Sequence, residues 1–468
     1  MSNSENLGQT LEIQESFKTP STKPSFFRGL IMIFNFLWIL FVESIKYLFW
    51  FHKTYESFIF SITNKLIQIN ILYVKIFQAL ALNNNIIDDK INNTLLRFVD
   101  NAPWTESEID YDILTILDKE YDIIFDQPLK PINSGMISLV FKGKRRNTGE
   151  AIVLKMKRKN IEQILNSAIE DLTLFFNWIL FIPNIDKFQV IDIMTKNMDL
   201  IKHQTNFIQE VKNVEVFRKY CKHIKYVVIP DVDTEITNKY NDVIVMNFID
   251  GKAIGKIEQA DYLDYVKIIM KFVFVTIFLY GKIHGDLHSG NILFIKDDDS
   301  DIKYKLGILD FGIIYEISCD TKMGIYDIIS NVRKVSSRDL AEFILNSTII
   351  EPLDEIKALE KEHYENLVNI IAKFVDKSIN VDDSMGQFEV FQFITDLNKY
   401  IEQINNNQDH SQKIQLKPSA DLIKVEVFFG MLHGVVLKLC GGKYVQLANE
   451  ILLELYNPTE KKKTQEKE

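Results

Sequence analysis

Apolar positions fall into runs of different kinds along this chain. The first, residues 29–51, reads GLIMIFNFLWILFVESIKYLFWF and is the most apolar stretch near the N-terminus. A membrane-crossing helix needs about 20 mostly apolar residues. Here Asn35, Glu43 and Lys46 interrupt the run, and Glu43 and Lys46 are spaced i, i+3 to pair on one helix face. Three readings stand: a single membrane span, an interfacial helix, or a helix packed on the rest of the protein. Membrane association in some form is favoured, because Arg28 and Lys53 flank the stretch and Trp38 and Trp50 suit an interface. From Ser57 to Phe98 the period is helical, with Leu66, Ile69, Tyr73 and Phe77 at threes and fours. Thr105 and Glu108 form a capping-box pattern that predicts a helix through about Leu117.

Near Pro131 the period shortens to two. ISLVFKG and AIVLKMK alternate on either side of KRRNTGE, which predicts a hairpin. Residues 161–203 return to a helical period with a break at Pro183, and a further helix carries Glu210 and Phe217. YVVIP and VIVMNF read as strands, the second ending in the turn Ile249-Asp250-Gly251. Residues 261–283 are apolar on nearly every side, but Lys267 and Lys271 leave only Phe272–Tyr280 unbroken. That is too short to cross a bilayer, so a buried core helix is expected. NILFI and YKLGILDF follow as two strands joined by DDDSD, read as a solvated hairpin tip rather than a metal-binding loop. From about Asp320 to Leu455 the chain is helical again, broken by a polar loop near 404–416, and no internal repeat is visible.

Composition narrows the class. With 47% hydrophobic and 12% aromatic residues over 468 positions, the chain can bury a sizeable core. A net charge of −10 argues against nucleic-acid binding, which needs a basic surface. Cys221, Cys319 and Cys440 are far apart and form no Cys-x-x-Cys pair, so neither a disulfide framework nor a zinc site is indicated, and a reducing, intracellular setting is expected. Residues 1–28 are expected to form a disordered tail, not a signal or transit peptide. The expected organisation is then an apolar helix at 29–60, a helical extension at 61–125, a strand-rich lobe with a helical insert at 126–250, a helical lobe at 251–456, and a tail at 457–468: an α+β, two-lobed fold.

The candidate chemistry lies in HGDLHSGN at 284–291 and LDFG at 309–312. Phosphoryl transfer mainly requires groups held in line and charge neutralised. Asp286 is placed to orient a nucleophile. Asn291, five residues on, offers an amide oxygen to a metal ion, and Asp310 offers a carboxylate that can ligate magnesium. The spacing Asp-x4-Asn, strand, Asp-Phe-Gly is specific as an ordered set. Upstream, Lys155 in IVLK is placed to reach phosphates, with Glu210 on the later helix as its acidic partner. His284 and His288 have no third ligand evident, so hydrogen bonding is expected of them rather than zinc.

With these motifs the sequence resembles the ADCK/UbiB atypical kinase-like family, linked to coenzyme Q biosynthesis, over roughly residues 65–330. HGDLHSGN is similar to that family's His-Ala/Gly-Asp-Pro-His-Pro-Gly-Asn loop. The resemblance makes Lys75 and Gln78 the residues of a Lys-x-Gly-Gln helix, which in the family folds over the active site. Two departures stand out. The motif glycine is Phe77, and the family's Glu-x-Asp appears as Gln204-Thr205-Asn206, so Gln204 and Asn206 stand as regulatory candidates. The alanine-rich nucleotide loop reads PINSGMISLVF, with Asn133, Ser134 and Gly135 in place of alanines, which points to a less restrained nucleotide site. These three, with Val140, Met246 and Phe248, are assigned to the nucleotide. The resemblance implies a bilobal protein-kinase-like fold using ATP and Mg2+, acting on or near membrane lipid or quinone-pathway components. Two alternatives remain at this point: a small-molecule kinase of the aminoglycoside or choline phosphotransferase type, and a non-catalytic scaffold responsive to ATP.

Overall fold

The computed structural model describes residues 25–75, 77, 102–179, 201–331, 334–347, 350–351, 353–379 and 444–456, with isolated positions between 399 and 440. The chain divides into two compact units, Met1–Lys212 with Asp231–Phe248, and Asn213–Pro230 with Ile249–Glu468.

The first unit opens with the helices α1 (Ser25–Leu48) and α2 (Tyr55–Ile69) and continues through α3 (Tyr111–Tyr121) and α4 (Ile161–Ile179). It also includes the start of α5 (Phe207–Cys221) and the short α6 (Thr234–Lys239). One side of α1 packs with α2 and α4: Met32, Leu66, Ile67, Leu165, Ala168 and Leu172 share a buried cluster. Polar groups fix the docking. Arg28 pairs with Asp171 at 2.7 Å and Glu170 at 3.2 Å. Asn70, just past α2, donates from Nδ2 to the Ala168 carbonyl at 2.8 Å. Glu43 is fully buried and meets Lys46 as its spacing predicts, at 2.9 Å, but also Lys65, Ser61 and His52.

The capping box at Thr105 forms, but it closes only the single turn Glu106–Glu108. Ile109 is extended, and Asp110 caps afresh by accepting from Asp112 N at 3.0 Å and Ile113 N at 3.3 Å, so α3 starts at Tyr111 and runs past the expected end. An Asp with unpaired amide donors ahead of it is among the strongest N-caps, and here it overrides the earlier signal.

The sheet of this unit has the order β1-β3-β4-β6, from β1 (Ile123–Phe125), β3 (Ser138–Arg145), β4 (Ala151–Lys157) and β6 (Val243–Asn247), with β2 (Asn133–Ser134) added beside β3. Every pairing is antiparallel, and β3 with β4 is the expected hairpin. Alternation sends Leu139, Phe141, Ile152, Leu154 and Met156 into a core with Leu114 and Leu117 of α3. β1 escaped the sequence reading because three residues are too few to show a period.

In the second unit, β5 (Val227–Val228) runs parallel to β9 (Tyr304–Ile308), which pairs antiparallel with β8 (Ile292–Lys296). Two aspartates of the acidic tip between β8 and β9 pair with nearby lysines, Asp298 with Lys303 at 2.8 Å and Asp297 with Lys305 at 3.3 Å. A second ladder joins β7 (Lys282–His284) to β10 (Ile314–Glu316). The apolar helix is a core helix as expected: Tyr265, Val266, Ile269, Phe272 and Val273 of α7 (Tyr262–Phe274) are buried. It stops short of residue 283. It widens into a π turn at Val275–Leu279, and Gly281 at φ +64° turns the chain into β7. Farther on come α8 (Cys319–Asn331), α9 (Ser337–Asn346), α10 (Lys361–Ile379) and α11 (Tyr444–Tyr456). A short ladder of Ile350–Glu351 with Lys417–Pro418 interrupts the expected all-helical stretch. Residues 1–24 of the expected N-terminal tail, the C-terminal tail, the Pro183 break, the loop near 404–416 and Gln78 lie outside the described residues, whereas Ser25–Arg28, expected to belong to the tail, form the first turn of α1.

Candidate active site

In the first unit the site begins on β4. Leu154 and Met156 point into the core, so Lys155 between them points to the other face, paired in register with Val140 on β3 and Ile244 on β6. Its Nζ lies 2.6 Å from Glu210 Oε1, with side-chain exposures of 12% and 1%. A buried ion pair of this length needs both charges, since either alone would be stranded. The Phe207 ring sits 5.4 Å from the same amine, one turn before Glu210. Helix α5 therefore presents both groups, and Asn206 starts it: its Oδ1 accepts from Gln209 N at 3.0 Å and its carbonyl accepts from Glu210 N at 3.0 Å. Asn206, expected in a regulatory role, serves here as a helix cap. Gln204 lies in the turn just before it.

The glycine-containing loop is held from below by a residue the sequence reading missed. Arg158, directly after β4, is fully buried. Its guanidinium donates to Gly135 O at 2.7 and 3.0 Å, Pro103 O at 2.7 Å, Ser134 Oγ at 2.8 Å and Glu108 Oε2 at 2.9 Å. Burial pulls its pKa down to about 10, partly offset by the Glu108 charge and hydrogen bond. Ser134, assigned to the nucleotide, instead uses its buried hydroxyl to donate to Ala102 O at 2.7 Å. Gly135 N donates to Ser138 O at 2.9 Å, and a Cβ added there would meet only that oxygen, at an ordinary 3.6 Å. Asn133 pairs with Val140 in the β2–β3 ladder. Met246 lies in β6, and Phe248 follows it, with the Lys142 amine 4.2 Å from its ring. Lys75 is half-buried at the end of a helical turn, and Phe77, in the place of the motif glycine, stacks on Tyr73 at 5.8 Å.

In the second unit His284 ties two motifs together. Its ring is buried between Phe217 and Phe311. Nε2 donates to the Asp310 carbonyl, while Nδ1 accepts from Asp286 N at 3.3 Å. That pattern fits a neutral ring, and burial pushes its pKa below 6.5 against the pull of Asp310 and Asp286. Asp286 is 3% exposed. Asn291 Nδ2 donates to Asp286 O at 2.8 Å, and the Asn291 carbonyl accepts from Leu309 N at 3.0 Å, one residue before Asp310. Asp310 Oδ1 accepts from Gly312 N at 2.8 Å. Phe311 is buried against Phe217 at 5.1 Å, and its carbonyl accepts from Asn213 at 2.9 Å. His288 caps the Ser289–Asn291 turn by accepting from Gly290 N at 3.0 Å. Both histidines thus make hydrogen bonds as expected, and among the described residues no group of three or more His, Cys, Asp or Glu is placed to hold a metal. A side chain at Gly285 would fit only if its neighbours shifted, since a Cβ would stand 2.4 Å from Ile313 Cγ2 and 2.6 Å from Tyr315 Cε2.

The donor set suits magnesium. Asn291, held through its Nδ2, keeps an amide oxygen to offer, and Asp310 adds a carboxylate; both are hard oxygen ligands of the kind Mg2+ takes alongside water and phosphate.

A sheet bearing an ion-paired lysine and a His-Gly-Asp…Asn loop tied to Asp-Phe-Gly define a protein of the kinase-like class. The model of the ABC1 atypical kinase-like domain matches residues 98–344, and the chain belongs to that family. It is similar to a putative ABC transporter of Paramecium bursaria Chlorella virus 1, at 25% identity over 53% of this chain and 49% of the relative. It is also similar to a probable protein kinase UbiB of Shewanella woodyi, at 23% identity over 62% of this chain and 54% of the relative. Among solved structures, an Rv3197–erythromycin complex from Mycobacterium tuberculosis matches with a TM-score of 0.46 and 16% identity, covering 81% of this chain and 90% of that one. The chain spans half or less of the length of several curated relatives it matches: 49%, 38% and 37%.

Proposed function

We propose that this protein binds ATP with magnesium and transfers or hydrolyses the terminal phosphate. The observation that carries the reading is the Lys155–Glu210 pair, a 2.6 Å contact almost closed to solvent. Such a pair costs desolvation, and a lysine fixed on a strand by a helix glutamate is the device kinases use to hold the α- and β-phosphates. In this reading Lys155 binds phosphate oxygens and Glu210 orients it. Asp286 accepts a hydrogen bond from the attacking hydroxyl or water and so aligns it. Asn291 and Asp310 hold magnesium, which when bound supplies charge neutralisation at the phosphates. Neutral His284 keeps Asp286 and Asp310 in register without adding charge. The acceptor is proposed as a lipid or a component of the quinone pathway, on the family resemblance.

The test is nucleotide binding and turnover with the purified protein. Wild-type protein should bind ATP in a magnesium-dependent way and turn it over. Asp310→Asn should lose the magnesium dependence, and Lys155→Met should lower turnover on the order of a hundredfold or more. Unchanged ATP binding and turnover in both variants would overturn the assignment. Screening lipid, quinone-precursor and protein acceptors against the active protein then decides the acceptor class.

A further inference from the structure

Helix α1 is amphipathic the wrong way round for a soluble protein. Two of its charged groups face inward: Arg28 reaches α4, and Glu43 is buried against Lys65 and Ser61 of α2. Its outward stripe is Phe27, Leu30, Ile31, Phe34, Leu37, Trp38, Phe41 and Ile45, each 38–63% exposed and recurring at threes and fours. The stripe runs on into the following turn, where Leu48, Phe49, Trp50 and Phe51 are 67–84% exposed. A contiguous apolar surface of this kind marks a binding face.

We infer that this face lies in the surface of a lipid bilayer, with α1 parallel to the membrane plane, and that anionic headgroups are its partners at the end where α1 meets α2. By length and hydropathy Phe27–Leu48 could cross a membrane, since 22 residues average 1.7. The docking rules that out for the folded protein. Crossing would pull Glu43 away from Lys65, Ser61 and His52 and carry a carboxylate into hydrocarbon. A helix in the interface keeps every one of these bonds and buries only the stripe. Half of that stripe is aromatic, Phe27, Phe34, Trp38 and Phe41, and such rings suit the headgroup boundary.

Charge distinguishes a membrane from a second copy of the chain. Residues 25–70 hold four Lys or Arg against two Glu in a protein of net charge −10. At the α1–α2 turn Lys53 is exposed, and Lys46 and Lys65 keep side-chain exposures of 42% and 36%. The nearby acids are Glu43, buried and already ion-paired, and Glu56 at the first turn of α2; Glu170 and Asp171 of α4 lie at the other end, at Arg28. The cations beside the exposed rings therefore favour an anionic surface, which the same cationic face of a second copy, meeting it in a symmetric dimer, does not offer.

The experiment is co-sedimentation of the full chain with phosphatidylcholine vesicles, with and without phosphatidylglycerol. The triple variant Phe34→Ser, Leu37→Ser, Phe41→Ser should keep its fold, as these side chains face outward, and should lose vesicle partition by at least about tenfold. Lys53→Gln should weaken binding about fivefold on anionic vesicles and little on neutral ones. With Trp38 as the sole tryptophan, brominated lipids should quench it most strongly when brominated near the headgroup. Three results would overturn the inference. They are equal partition of wild-type and triple variant, deepest quenching at the acyl-chain ends, and a wild-type dimer that ignores vesicles and becomes monomeric in the triple variant. None of these readouts involves nucleotide, so failure here leaves the phosphoryl-transfer reading standing.

Discussion

A guanidinium carries five donors in one rigid plane, and Arg158 uses them on three backbone carbonyls, a hydroxyl and a carboxylate. Lysine cannot reproduce that geometry. Arg158→Lys is therefore expected to lose about 3–5 kcal/mol, the usual cost of breaking a buried pair, and urea denaturation at neutral pH measures it. Gly285→Ala forces Ile313 and Tyr315 aside and should cost about 1–3 kcal/mol, whereas Gly135→Ala, with only ordinary contact waiting, should stay within about 1 kcal/mol of wild type. His284 gives a pH signature. Its folded-state pKa lies below 6.5, so under pH 6.5 the unfolded chain takes up a proton that the folded one refuses, and stability falls as the pH drops. His284→Asn should flatten that slope between pH 6.5 and 5. At this scale motif spacing singled out Lys155, Glu210, Asp286, Asn291 and Asp310 as candidates, and the structure pairs the first two. The sequence hid Arg158 inside the basic run Lys155-Met156-Lys157-Arg158-Lys159, where nothing distinguishes a buried cation from three that are less enclosed.

Elements were readable where their period had room to repeat. The β3–β4 hairpin, the buried helix α7 and the Glu210 helix α5 all lie where alternation or helical spacing put them. Boundaries were harder, since local capping competition decided them: Asp110 took over from Thr105, and a π turn ended α7 early. The cap at Asn206 matters beyond its own turn because Glu210 follows it by four residues. Asn206→Ala should cost about 1 kcal/mol by thermal melting, and Asn206→Asp should restore it. The α1–α2 pair carries its own acid sensitivity. Burial alone would raise the Glu43 pKa, but hydrogen bonds from Lys65, Ser61, Lys46 and His52 outweigh it and hold the group at about 2, well below its ordinary 4.5. That contribution is complete above pH 4.5 and drains away as the pH falls toward 2. Acid titration of wild type against Glu43→Gln should show the difference confined to that window.

For the molecule as a whole, the two-unit division falls within α5, a position the lobe boundary at 250 did not anticipate for residues 213–230. Sequence pattern carries no record of contacts between distant segments, such as β5 with β9, whose paired residues Val227 and Leu306 are 79 positions apart. Ligand binding should report on the folded whole. Mg-ATP at about a hundred times its Kd should stabilise the wild type by roughly 2.7 kcal/mol in a thermal-shift assay, and Asp310→Asn should show much less. The packing of α1 bears on how the protein can be handled. Trimming a greasy N-terminus is a common remedy for poor solubility, yet cutting before Tyr55 would uncover Leu66, Ile67, Ala168 and Leu172 and strip Lys65 of its carboxylate. Such a shortened chain should precipitate more readily than the intact one, and recoding the outward rings to polar residues is the better route to a soluble preparation.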